Sequence, residues 1–312
     1  MPTRTLTAQQ PGPILIDTQL LGAGGAITVR TDRTRKEAEI TIRTADETGD
    51  SADAVRDADL RWDSRGALIA HVQGKGSSTT VINSGGGTFI AGNNYGTIVQ
   101  TVENNYGSMV AVSGGDMTFS GGRFQFNGGG TVNVIQGSSP IEITAVVPEG
   151  GSITARTQSA DVIADGAFTA VSASTQSGNV RAPGQTERVT ASTQSGDVDV
   201  ANSPHITAKT QSGDIRLGRT DVVEASSMSG DVTIRDFGGT AQLNSMSGDI
   251  RVHATAGGDI TAKTMSGDVT VTATEQAIND DLDVRANSMS GDVRIPPRRQ
   301  RGTGPGPRRR TS

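Results

Sequence analysis

The chain has 312 residues, of which 33% are hydrophobic and only 3% aromatic, and 41 are glycine. This composition excludes a thick core built on Phe and Trp, but it allows a thin core of Val, Ile, Ala and Thr between two sheets. The absence of cysteine excludes disulfide frameworks and thiolate metal sites. The net charge is −5, but residues 296–312 contain six arginines and no acid, which leaves −11 on residues 1–295.

The first 73 residues alternate in polarity over five segments, 14–17, 26–30, 38–44, 58–63 and 67–73, and each alternation predicts a strand. The acidic stretch 45–57 predicts a loop or a short helix capped by Ser51. We expect residues 1–73 to form a small N-terminal β cap, because the open end of a repeat array exposes strand edges.

No apolar run of signal-peptide length occurs in residues 1–17, and no stretch approaches ~18 apolar residues. We therefore expect a cytoplasmic protein with no transmembrane segment, although export by a route that needs no signal peptide stays open.

The segment 74–140 contains only four charged residues and sixteen glycines. Asn93-Asn94-Tyr95-Gly96 recurs as Asn104-Asn105-Tyr106-Gly107. A Gly/Asn-rich, uncharged β segment of this kind predicts either early solenoid coils or self-associating strands.

Residues 141–295 contain eight copies of a Ser-Gly-Asp-type motif, each centred on a serine, of which the first reads Ser-Ala-Asp and the second Ser-Gly-Asn. The serines are separated by 18, 18, 17, 17, 18, 19 and 24 residues, and the last interval predicts an insertion around 275–281. They are Ser159, Ser177, Ser195, Ser212, Ser229, Ser247, Ser266 and Ser290.

Polarity alternates with period two on both sides of each motif. Apolar residues stand six and four positions before the serine, and again three and five positions after it. The two sets differ by an odd number of positions, so the chain must turn at the motif, where glycine favours a corner. The pattern predicts an all-β fold containing a β-solenoid, a parallel β-helix-like stack of 17–18-residue coils.

The Ser-Gly-Asp-Val repeats between Val/Ile strands resemble a bacterial domain family of unknown function labelled "putative adhesin", whose members are β-strand repeat proteins. The strand-like segments 27–30 and 38–44, followed by Leu60-Arg61-Trp62, are similar to that family as well. The resemblance covers about 1–73 and 141–295. It implies a β-repeat architecture and specifies no ligand.

Two rows of repeat residues are candidate functional positions. An acidic row at the repeat turn is either a cation ladder or a set of turn caps, and we favour caps. It comprises Asp161, Asp197, Asp214, Asp231, Asp249, Asp268 and Asp292, with Asn179 in one repeat. The residue before the serine forms either an apolar interaction stripe or a packing corner, and we favour the packing corner. It is Gln158, Gln176, Gln194, Gln211, Met228, Met246, Met265 and Met289.

The residues favour a non-enzymatic structural or adhesive scaffold for an unknown protein or polymer, with self-association open and no cofactor or metal expected. One alternative is a carbohydrate-active β-helix (a polysaccharide lyase or hydrolase) that uses Asp199, Asp214 and Asp231 with Lys209, Arg216 and Arg235. Another is weak, non-specific polyanion binding by a disordered tail. The tail arginines are Arg298, Arg299, Arg301, Arg308, Arg309 and Arg310.

Overall fold

The computed structural model describes residues 1–74 and 139–297 in full, and between them the backbone of several strands. The protein is all-β, with two short helices among these residues. The N-terminal elements are β1 (Thr3–Thr7), β2 (Leu15–Leu21), β3 (Gly25–Thr31), β4 (Glu39–Thr44), α1 (Asp50–Arg56), β5 (Asp59–Trp62) and β6 (Ala67–Gln73).

Five of the N-terminal strands lie where the polarity pattern predicts them, whereas β1 was not predicted. The prediction that Ser51 caps a helix is wrong. Gly49 occupies the N-cap of α1 without any side-chain hydrogen bond. Ser51 lies inside the first turn and is buried, and its hydroxyl donates instead to the Ser139 carbonyl at 2.7 Å.

The middle segment contains β7 (Thr80–Ser84), β8 (Gly87–Ala91), β9 (Thr97–Ile98), β10 (Ser108–Ser113), β11 (Asp116–Ser120), β12 (Arg123–Asn127) and β13 (Thr131–Gln136). The pairs β7–β8, β11–β12, β9–β10 and β10–β13 are all antiparallel. Both Asn-Asn-Tyr-Gly segments lie outside the described residues.

The repeats form the rest of the fold. Their elements are β14 (Ile141–Val147), β15 (Gly151–Thr157), β16 (Asp161–Asp165), β17 (Ala167–Ser174), β18 (Val180–Ser192), β19 (Val198–Asn202), β20 (His205–Thr210), β21 (Ile215–Ser227), β22 (Val232–Ser245), β23 (Ile250–Thr264), β24 (Val269–Ala273), α2 (Glu275–Asn279), β25 (Leu282–Ser288) and β26 (Val293–Arg294).

Each repeat pairs in parallel with the equivalent residues of the next repeat. On one side of the motif Val189 pairs with Ile206, and Ile206 with Val223. On the other side Ile215 pairs with Val232, and Val232 with Ile250. The offset between partners equals the spacing of the serines, so the sequence repeat and the strand register coincide.

The N-terminal strands join the same hydrogen-bonded system. β2 pairs in parallel with β15 and with β6, and β3 pairs in parallel with β14 and β16. β1 and β5 pair antiparallel with β4 and β6. The first strands therefore continue the parallel pairing of the repeats in the N-terminal direction.

The core lies between the two strand sets of each repeat. The apolar position six before the serine is buried in every repeat, and the position five after it is buried in all but the last, where Ile295 is 45% exposed. Side chains such as Ile215, Leu217 and Leu243 are at most 1% exposed. The long last interval contains α2, where the spacing predicts an insertion, and the Thr274 hydroxyl accepts from the Ala277 N–H at its start. Within the described part of the chain, no helix is long and apolar enough to span a membrane.

Candidate functional site: the repeat corner

The repeat corner is the turn from the Thr or Ser two positions before the central serine to the Asp two positions after it. A buried hydroxyl holds this turn closed. In the fourth repeat Thr210 Oγ1 accepts from the Gly213 N–H at 3.0 Å and donates to the Gly196 carbonyl of the preceding repeat at 3.3 Å. Thr193 makes the same two contacts one repeat earlier. Each hydroxyl thus connects two consecutive corners.

The glycine of each corner is needed for close approach between repeats. A Cβ on Gly213 would lie 1.8 Å from the Gly196 carbonyl oxygen, and a Cβ on Gly196 would lie 2.0 Å from that of Gly178. None of these three glycines has a positive φ. Glycine is therefore not needed here for its freedom to adopt a positive φ. It is needed because a side chain would collide with the backbone of the preceding repeat.

The acidic row forms a continuous hydrogen-bonded ladder. One carboxylate oxygen of each member accepts from the backbone N–H of the next repeat's Asp, at 2.8 to 3.0 Å, and Asn179 substitutes with its amide oxygen. The ladder begins at Asp161, which accepts from the Asn179 N–H, and ends at Asp292, which accepts from Arg294. Each of these hydrogen bonds joins two consecutive repeats and not two residues of one turn.

Two arginines bridge neighbouring rungs of the ladder. Arg216 donates to Asp197 at 2.9 Å and to Asp214 at 2.6 Å. Arg251 bridges Asp231 and Asp249 at 2.8 and 2.6 Å. Among the described residues, no cluster of three or more His, Cys, Asp or Glu side chains is arranged to hold a metal ion.

The contacts with backbone N–H groups and arginines lower the pKa values of two aspartates of the ladder, Asp197 and Asp231. Partial burial acts to raise the pKa of Asp197, but the Asp214 N–H and the Arg216 guanidinium outweigh it and hold the pKa below its ordinary value. The pKa of Asp231 is lowered in the same way, by the Asp249 N–H and Arg251 against the effect of burial. Both carboxylates are therefore charged and structurally engaged at neutral pH.

The row before the serine, which we call the corner ridge, lies on the surface. Met228, Met246 and Met265 are each 48% exposed, and Met289 is 75% exposed. Gln176, Gln194 and Gln211 are exposed too, whereas Gln158 is half-buried and accepts from the Gly22 N–H.

Backbone bonds keep successive ridge residues in line, since each ridge carbonyl accepts from the serine N–H of the next repeat. These serines are also exposed, and the hydroxyl that faces inward is the one two positions earlier.

The three aspartates proposed for a carbohydrate-active site do not form one cluster with Lys209. Asp214 and Asp231 belong to the ladder, and Asp199 lies between Arg181 and Arg216 on the same strand face. Lys209 lies on β20, in the opposite strand set, and pairs with Glu224 at 3.4 Å. The structure therefore does not bring Lys209 to the three aspartates.

The six tail arginines lie outside the described residues. The prediction that they bind polyanions stays a prediction.

Two solved structures are similar to the chain, and each is described as the crystal structure of a "putative adhesin". The protein from Bacteroides fragilis has 15% sequence identity and a TM-score of 0.40, and the match covers 94% of this chain and 97% of that one. The protein from Parabacteroides merdae has 8% identity and a TM-score of 0.36, with 95% and 96% covered.

No curated protein matches the chain. The model of the Toastrack DUF4097 family matches residues 33–237 and 93–305, which together span well over half of the sequence. The chain belongs to the Toastrack DUF4097 family.

Proposed function

We propose that the chain is a non-enzymatic β-solenoid scaffold whose corner ridge binds a partner protein or polymer through apolar contact. The support for a solenoid is the parallel, in-register pairing of consecutive repeats, which places equivalent residues one strand spacing apart, about 4.8 Å. The observation that carries the binding role is the exposure of four methionines in consecutive repeats.

An exposed row of methionines suits an adaptable contact surface. The side chain is unbranched and polarizable, so it adjusts to partners of different shape. Single exposed apolar residues are common on protein surfaces, whereas a contiguous apolar row more often marks an interaction site. None of the eight ridge positions carries a charge, so the ridge does not repel an apolar partner.

The non-enzymatic assignment is supported by the state of the acidic residues. The aspartates of the ladder are engaged by backbone N–H groups and by Arg216 and Arg251, which leaves them poorly suited to general acid or base chemistry. The carbohydrate-active alternative needs a convergent acid pair, and two of its three acids, Asp214 and Asp231, are committed to the corner.

The test replaces Met228, Met246 and Met265 together by Gln, the residue that occupies the same position in the first four repeats. The triple variant should melt at the wild-type temperature but bind a phenyl matrix more weakly and sediment with less self-association at high concentration. The matched control replaces Gln176, Gln194 and Gln211 by Ala and should change neither property. Unchanged phenyl binding and sedimentation in the methionine variant would show that the ridge is not the contact surface.

A further inference from the structure

The two ends of the parallel stack differ in how their strand edges are covered. At the N-terminal end, β1 and β5 pair antiparallel with β4 and β6, α1 packs beside them, and core residues such as Ile42 and Leu68 are fully buried. At the C-terminal end, the described structure pairs β25 only with β23, and β26 only with β24. In the part of the chain that the structure describes, one edge of each of these two strands is therefore without a partner strand.

The core is open at the same end. The apolar residues three and five positions after the serine are at most 4% exposed in the first seven repeats. In the last repeat these residues are Val293 and Ile295, which are 41% and 45% exposed. A strand edge beside exposed apolar side chains is a template for pairing with another strand. The C-terminal end thus offers both features of a strand-pairing surface.

The charges at this end indicate which strand fits it. The triplet Asp-Val-Arg occurs twice, as Asp283-Val284-Arg285 in β25 and as Asp292-Val293-Arg294 at the start of β26. Such a triplet is its own complement in antiparallel pairing, because centring the pair on valine places each aspartate opposite an arginine of the other strand. The side chains of Arg285 and Arg294 are 73% and 68% exposed, so both are accessible to a second strand.

We propose that a second copy of this chain docks at the C-terminal end, with the β25 strands of the two copies paired antiparallel about a two-fold axis at Val284. The axis reverses the direction of the second strand, so antiparallel pairing follows from the symmetry. Asp283 of each copy then lies opposite Arg285 of the other. Within the stack, Arg216 already bridges two aspartates of neighbouring strands in a similar way.

The association is a closed dimer and not a filament. The N-terminal end of each copy is covered by antiparallel strands, so it does not offer the edge that a head-to-tail array needs. The proposal does not rest on the corner ridge. The dimer should therefore persist at micromolar concentration in the triple Met variant, so that the two proposals fail separately.

Sedimentation velocity of the full chain between about 1 and about 100 μM tests the dimer. The wild type should dimerise with a micromolar dissociation constant, since a contact of short strands is smaller than a standard interface. Arg285→Glu places like charges opposite each other twice in the dimer and should weaken it about tenfold or more. The control Lys263→Glu makes the same charge change at an exposed position of β23, which is paired on both sides, and should leave the dissociation constant unchanged.

A charge exchange separates pairing from folding. Asp283→Arg alone should weaken association as Arg285→Glu does. An equimolar mixture of these two variants should form a mixed dimer, because every charged pair across its edge is again opposite in sign. The double variant Asp283→Arg, Arg285→Glu should regain the wild-type dissociation constant for the same reason.

Four results would overturn the proposal. The first three are a wild type that is still monomeric at about 100 μM, an Arg285→Glu variant that dimerises as wild type does, and a mixture of the single variants that stays monomeric. The fourth is a dimer that forms only after residues 298–312 are deleted, because this tail would then be the segment that covers the edge.

Discussion

At the residue scale, three residue types close each corner, and each contacts a neighbouring repeat. The buried hydroxyl of Thr210 bonds to both Gly213 and Gly196. The glycine allows the two backbones to approach, and the aspartate accepts the N–H of the following repeat. The motif is therefore repeated because the same inter-repeat contacts recur.

Gly213→Ala tests the requirement for close approach. The added Cβ would lie 1.8 Å from the Gly196 carbonyl oxygen, so the two repeats must separate. Overpacking of this kind destabilises by about 1–3 kcal/mol, and because the clash is with backbone we expect about 3 kcal/mol. Urea unfolding measures the loss, with Ser212→Ala at the exposed neighbouring position as the control. Equal midpoints for the two variants would contradict the explanation.

The ladder predicts acid sensitivity. The pKa values of Asp197 and Asp231 are lower in the folded state than in the unfolded chain. Their contribution to stability is then complete above the unfolded pKa, about 3.9, and is lost as pH falls through the lower folded values. We expect the free energy of unfolding to decrease below about pH 4.

The double variant Asp197→Asn, Asp231→Asn is the control for this pH dependence. Asn179 already occupies one rung and accepts through its amide oxygen, so the fold should tolerate the change. The variant should show a shallower loss of stability between pH 4 and pH 2 than wild type in chemical denaturation. Parallel curves for the two proteins would mean that these rungs do not titrate as described.

Much of the corner was predictable from sequence, and some of it was not. Spacing and residue type indicated a glycine turn and aspartates that accept from backbone N–H groups. That these N–H groups belong to the following repeat was not predictable from one repeat. The bridging by Arg216 and Arg251 was not predictable, since it depends on which side chains become neighbours across repeats. The reason for the glycine was likewise hidden, because a single repeat does not show that a Cβ at this position would lie 1.8 to 2.0 Å from a carbonyl oxygen of the preceding repeat.

At the element scale, the strands follow period-two polarity closely. The N-terminal strands β2 to β6 and the paired strand sets of the repeats coincide with the alternating segments, because one face of nearly all of these strands is buried or half-buried. β1 was missed since Thr3–Thr7 is short and half-exposed, and antiparallel pairing with β4 rather than local pattern makes it a strand.

Substitutions on opposite faces of neighbouring strands test this assignment. Leu243 is fully buried in β22, whereas Thr261 of β23 points to the other face and is half-buried. Leu243→Asp should cost more than about 3 kcal/mol because it places an unpaired charge in the core. Thr261→Asp should cost about 1 kcal/mol or less. Thermal melting measures both, and equal melting temperatures would show that the faces are misassigned.

At the scale of the whole molecule, charge is distributed unevenly. The arginine tail carries +6 and residues 1–295 carry −11. Pro296, which is half-buried, and Pro297, which is exposed, border a small pocket with Ile278 and Leu282.

Deleting residues 298–312 tests whether the tail binds polyanions. The truncated chain should lose binding to DNA at low salt, because the remaining body repels phosphate, and its melting temperature should be unchanged. Fluorescence anisotropy with a labelled duplex measures binding, and wild-type affinity should fall steeply as salt is added. Equal binding by both chains would locate any polyanion site on the body, and a large drop in melting temperature would show that the tail is structural.

The central claim is that consecutive repeats pair in parallel and in register, one strand spacing apart. Thr154, Ser172, Thr190 and Thr261 occupy equivalent positions, and continuous pairing joins them through the intervening repeats. Because the chain has no cysteine, pairs of engineered cysteines can carry spin labels without background. Pulsed dipolar spectroscopy should give distances to position 261 of about 29, 24 and 19 Å from positions 154, 172 and 190, a decrease of one strand spacing per repeat. Distances that do not fall in equal steps near 4.8 Å would contradict the account.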